Sequence, residues 1–164
     1  MDAAACWDDL AAVDAAKAYA AIDRLAADPA KALPLLRQKL TPVIVDPKWL
    51  AARLAELDHK KFTVREAAMR ELEKVADAVE SELRRALEKP PPLEVRNRLL
   101  QVLKHAEAVQ TSVPPTALVQ RLRALAVLER IGSEEARALL CDLAAGAADA
   151  RLTQEAAAAL RRLR

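Results

Sequence analysis

Two glycines, Gly132 and Gly146, serve a chain of 164 residues. Hairpin turns, bulges and phosphate-cradling loops need glycine where φ is positive or backbones approach closely. A β-sandwich or barrel is therefore excluded, and so are Walker and Rossmann loops. The aromatics agree, since Trp7, Tyr19, Trp49 and Phe62 are the only four. Alanine (38) and leucine (26) supply 64 of the 164 residues, and both favour the helix. With 53% apolar residues the chain is long and apolar enough to bury a core rather than stay disordered. The expectation is an all-α fold occupying residues 1–164 as one domain.

The charges constrain partners less sharply. Twenty-six basic and 24 acidic side chains leave a net charge of +2, too balanced to demand a polyanion. Residues 1–46 carry a net −2 and residues 90–164 a net +3, a mild tilt that solvated helix faces explain. Cys6 and Cys141 stand far apart with no C-x-x-C, so neither a disulfide framework nor a zinc site is expected. Isolated thiols suit a reducing compartment. The first residues lack a basic stretch followed by an apolar one, and no run approaches the roughly 18 apolar residues of a membrane span. A cytoplasmic protein without membrane contact is the expectation.

Helix boundaries are marked in places. Asp28-Pro29 and Asp46-Pro47 each put an N-cap acceptor before proline at the first helical position. Thr63-Val64-Arg65-Glu66 reads as a capping box, with Phe62 placed to staple against Ala67. Gly132-Ser133 reads as a helix stop followed by a new cap, and Gly146 as a second stop. Between these marks the apolar spacing predicts helices over 7–12, 14–27, 29–40, 47–57, 63–77, 79–89, 93–108, 116–131, 133–145 and 149–163. Thr41–Val45 should be extended at the surface, and Ala108–Pro115 a flexible loop. Short loops make sequential helices antiparallel neighbours.

A repeat runs through the helices. A leucine near the end of one helix is followed by leucines eleven and fifteen residues later: Leu25, Leu36 and Leu40; Leu72, Leu83 and Leu87; Leu128, Leu139 and Leu143. Arg65 and Arg121 lie seven before their anchor leucines, and Ala21, Ala68 and Ala124 lie four before. A further first helix is anchored on Leu103 and a terminal one on Leu160, where Thr153 takes the arginine position. One helix pair cannot bury its apolar stripe alone, so stacked pairs sharing a core are expected.

The segment from Thr63 to Leu72, followed by Val79-Glu80-Ser81-Glu82-Leu83 and Leu93-Glu94-Val95-Arg96, resembles the HEAT-like helical repeats of the ARM/HEAT superfamily. The x-x-x-V-R-x-x-A-x-x-x-L opening carries the likeness. The wider layout, with Trp7-Asp8-Asp9-Leu10 before an Ala-rich helix ending Ala27-Asp28-Pro29, is similar to modules found beside WD-repeat propellers in some bacterial proteins. The resemblance implies a right-handed α-α superhelix, a solenoid of about four irregular helix pairs. The third unit departs from the pattern by lacking its partner helix.

No residues assemble a reaction. His59 and His105 are 46 apart with no ligand-spaced partners, and the serines Ser81, Ser112 and Ser133 have no base beside them. Carboxylates alternate with basic groups, as in Glu66/Arg70 and Glu80/Arg84, a local pairing pattern. Trp7 and Trp49 read as core plugs. Neither an enzyme nor a cofactor or metal site is therefore expected. The best reading is a non-catalytic scaffold or adaptor that presents a helical surface to another protein or an adjoining domain, through Arg37, Arg84, Arg85, Glu88 and Arg137. The other reading is a nucleic-acid-binding or DNA-repair protein of the HEAT-like class using the same arginines. Few aromatics for base stacking and the small net charge weigh against it. Solenoid ends would also permit self-association.

Overall fold

The computed structural model describes residues 2–89, 91–111 and 114–163. Among them lie ten α-helices, one 3₁₀ turn and no strand. The helices are α1 (Ala3–Asp9), α2 (Ala15–Ala27), α3 (Pro29–Lys39), α4 (Pro47–Glu56), α5 (Phe62–Glu73), α6 (Glu80–Glu88), α7 (Leu93–Thr111), α8 (Thr116–Ile131), α9 (Glu134–Ala144) and α10 (Arg151–Arg162), with the turn η1 at Ala76–Ala78. The all-α expectation holds.

The chain gathers into two compact units: Met1–Val43, Pro114–Gly146 and Arg151–Arg164 make unit 1, and Ile44–Val113 with Ala147–Ala150 make unit 2. In unit 1, α1–α3 meet α8–α10. Their core includes Trp7, Leu25, Leu36, Leu128, Leu139 and Leu143. In unit 2, α4 packs on α5, and α5, α6 and η1 pack on α7, around Leu57, Leu72, Leu83, Leu99 and Val102. All of the repeat leucines except Leu87 and Leu160 are fully or nearly fully buried in these cores, and so are the three alanines four before an anchor. Trp7 is a core residue, and Trp49 packs partly buried against the core of unit 2.

Several local expectations need correction. Helix α5 begins at Phe62 with Lys61 as its cap residue, so Thr63 does not cap it. Glu66 instead accepts from Arg98 at 3.1 Å. Phe62 is 60% exposed beneath the guanidiniums of Arg65 and Arg98, and is no staple. Asp28 makes no cap hydrogen bond, because its own backbone (φ −130°, ψ 70°) lies outside the usual cap region, and it pairs with Lys31. Asp46 does cap α4, accepting from the Lys48 N–H at 2.9 Å. Gly132 ends α8 at φ 62° and Ser133 caps α9, both as predicted. Helix α7 continues to Thr111, into the segment expected to be a loop; Ser112 and Val113 of that segment lie outside the described residues. The first helix begins at Ala3, four residues early, because Asp2 accepts from the N–H groups of Ala4 and Ala5.

Gly146 serves close approach rather than a left-handed turn. A Cβ there would lie 2.7 Å from Thr153 Oγ1 and 2.9 Å from the Val43 carbonyl oxygen. The arginines seven before Leu72 and Leu128 tie down loop carbonyls. Arg65 donates to the carbonyls of His59 and Lys60, and Arg121 donates to that of Thr41 at 2.6 Å. Burial pushes the Arg121 guanidinium down from its ordinary pKa. Arg123 similarly donates to the carbonyls of Leu10 and Ala12, and Gln120 to that of Trp7.

Candidate functional site

Helices α4 and α6 each present one stripe with helical spacing to a cleft. On α4 it is Pro47, the buried Leu50, Ala51 and Leu54; on α6 it is Glu82, Arg85 and Ala86, continued by the cap residue Lys89. Residues at i, i+3, i+4 and i+7 fall on one helix face, so each stripe is a continuous wall. The two walls are not closely packed on one another. Between them lies an open groove of about 730 Å³, with Val45, Ala78 and Val79 also lining it and Glu88 at its rim. All of it belongs to unit 2.

The α6 wall is fixed at its start from a distance. Its cap residue Val79 has no side chain to offer the first N–H groups. Asp149, 68 residues on, accepts from the Ser81 N–H at 2.8 Å and from the Ser81 hydroxyl at 2.7 Å. A carboxylate at this place also suits the positive end of the helix. Residues 147–149 thereby line the groove as well.

Charge along the groove is sorted by position. Glu82 and Asp149 stand at the start of α6, Arg85 and Glu88 in its last turn, and Lys89 just past its end as the cap residue. Arg85 and Lys89 make no ion pair among the described residues. Arg84 is different: it lies outside the groove lining and pairs with Glu80 at 2.5 Å and Glu107 at 3.4 Å. The Glu80 hydrogen bond foremost raises the Arg84 pKa.

The five residues expected to form the partner surface thus separate. Arg85 and Glu88 share the groove, and Arg84 sits on the same helix, turned to its ion pairs. Arg37 and Arg137 belong to unit 1, both exposed, and Arg137 donates to the Gly132 carbonyl at 3.2 Å. Sequence reasoning missed Asp149 and the whole α4 wall. The signal for α4 was present, since 47, 50, 51 and 54 carry the same spacing that marked the leucine repeat. Asp149 has no local signal, because the cap it provides acts across 68 residues.

Other chemistry-bearing groups have structural work. The His59 Nδ1 accepts from the Lys61 N–H, and Ser133 is a cap. Cys6 is buried and Cys141 exposed, both as free thiols. Among the described residues no group of three His, Cys, Asp or Glu is placed to hold a metal ion, and no helix is long and apolar enough to cross a membrane. Compared with protein-family models, curated proteins and solved structures, the chain matches none of them.

Proposed function

We propose that this chain is a non-catalytic adaptor that binds a protein partner through the groove of unit 2, within a HEAT-like helical-repeat architecture. The single observation that carries the reading is the groove itself: two helical walls, not closely packed on each other, enclosing about 730 Å³ above apolar residues. A face of this kind costs stability in water unless another surface covers it, which is why such patches mark interaction sites. The burial of the register-related leucines, Leu25, Leu72 and Leu128, supports the repeat reading. Groups for bond-making chemistry would have to converge in a pocket. Here the lining is mostly Ala, Val and Leu, with its ionic groups at the rim.

The test is a pull-down with the full chain from lysate, with and without nuclease, beside two double variants. Arg84→Glu/Arg85→Glu changes unit 2, and Arg37→Glu/Arg137→Glu changes unit 1. The expected result is a nuclease-resistant protein partner lost with the first variant and kept with the second. Recovery that disappears on nuclease treatment would replace this reading with nucleic-acid binding.

A further inference from the structure

We infer that the groove of unit 2 receives an amphipathic α-helix of a partner protein, running antiparallel to α6, with acidic residues in its first turn and basic residues in its last. This rests on the adaptor reading and adds the partner's shape, direction and charge order.

Shape comes first. Each wall is a single helical stripe two turns long, and a cleft between two such stripes offers the ridges against which a third helix packs. The volume, about 730 Å³, fits several aliphatic side chains presented at i, i+3 or i+4, and i+7, the anchors of helix-in-groove recognition. The floor residues Leu50, Leu54 and Val79 are apolar and offer no buried polar group for a small polar ligand to engage.

Direction follows from charge. At the start of α6 the rim holds the carboxylates of Glu82 and Asp149; at its end it holds Arg85 and the cap residue Lys89, with Glu88 alone opposing them. The half-charge at each end of α6 has the opposite sign and offsets only part of this. A soluble helix tends to carry acidic residues at its N-terminus and basic ones at its C-terminus, matching its own dipole. Laid antiparallel to α6, it sets its acidic first turn beside Arg85 and Lys89, and its basic last turn beside Glu82 and Asp149. Laid parallel, both ends meet like charge.

The test displays helical peptides of about four turns, with leucines fixed at i, i+3, i+7 and i+10 and both end turns varied among Glu, Lys and Gln, and selects them on the full-length chain. Expected is enrichment of Glu over Lys in the first turn and of Lys over Glu in the last, each by about tenfold, the scale of one good interface contact. On the variant Arg85→Glu/Lys89→Glu the first-turn preference inverts. The variant Ala51→Trp fills the cleft from an exposed position and loses the peptides by about tenfold or more, with unchanged helix content and melting. Failure to enrich any peptide, the reverse charge order, or peptides that still bind Ala51→Trp would overturn the inference. A lysate partner that is lost with Arg84→Glu/Arg85→Glu but still binds Ala51→Trp would overturn it and leave an adaptor that binds through the α6 surface rather than the groove. Selected peptides in the stated order, without any nuclease-resistant lysate partner, would do the opposite.

Discussion

In unit 1, Gln120, Arg121 and Arg123 reach 80 to 113 residues along the chain to bind the carbonyls of Trp7, Thr41, Leu10 and Ala12. In unit 2 the comparable groups act over shorter spans. Arg65 holds carbonyls five and six residues back, Arg84 and Arg98 reach Glu107 and Glu66 across 23 and 32 residues, and Ser81–Asp149 spans 68. The apolar surfaces differ in the same way. Unit 1 brings α1–α3 and α8–α10 around one core with Trp7 in it, whereas unit 2 leaves α4 and α6 facing each other across a cleft. Surface for a partner is therefore concentrated in unit 2. A unit that satisfies its loops and faces internally is built to hold shape, and one that leaves two ordered walls apart has surface to share.

The largest test of this contrast is at the two anchor leucines. Leu128→Ala in unit 1 and Leu72→Ala in unit 2 should each cost about 2–5 kcal/mol in urea unfolding, because both side chains are fully buried. Amide exchange should rise first in the unit that holds the substitution. Uniform acceleration across both would break the two-unit comparison.

Next comes Gly146→Ala in unit 1. The added methyl meets the Val43 backbone, which cannot rotate away, so a cost of about 1–3 kcal/mol is expected in the same assay. A neutral result would mean that unit 1 is less tightly closed than its contacts imply.

Asp149→Ala sharpens the unit 2 side. It removes the acceptor for the first N–H groups of α6, and should cost about 0.5–2 kcal/mol. Faster amide exchange at Ser81 and Glu82 should accompany it, with α8 unchanged. Loss of the selected peptides' last-turn lysine preference is the matching binding signature.

The smallest effect is the surface pair Glu129–Arg162 of unit 1. Its hydrogen bond from Arg162 holds the Glu129 carboxyl below its ordinary 4.5. A carboxylate lowered on folding stabilises above the unfolded value and loses that contribution as pH falls through the folded one. Arg162→Ala should therefore lower the melting temperature slightly at pH 7 and hardly at all well below pH 4.5. An equal deficit at both pH values would assign the loss to packing instead.

Much of this organisation was legible from residue types. Glycine scarcity and leucine spacing gave the helices and nearly all of the buried anchors, because a helix face is a periodic property of one segment. Local caps were legible at Asp46 and Ser133 but not at Asp2, where no apolar spacing marks the short helix that follows. They were misread at Thr63, where Glu66 had a better partner in Arg98, 32 residues away. The site shows the same limit. Arg85 and Glu88 could be nominated from α6 alone. That Arg84 is held by Glu107, that α4 supplies the other wall, and that Arg37 and Arg137 belong elsewhere are facts of tertiary placement, on which local spacing is silent.

The cap that Asp149 places on α6 also bears on how the chain is made. A ribosome adding about 5–20 residues per second needs several seconds to travel from Ser81 to Asp149. Throughout that interval the first N–H groups of α6 lack this acceptor. The cleft is therefore finished late in translation, after the rest of unit 2 has emerged, and no partner helix meets a completed seat before the α9–α10 connection has left the tunnel.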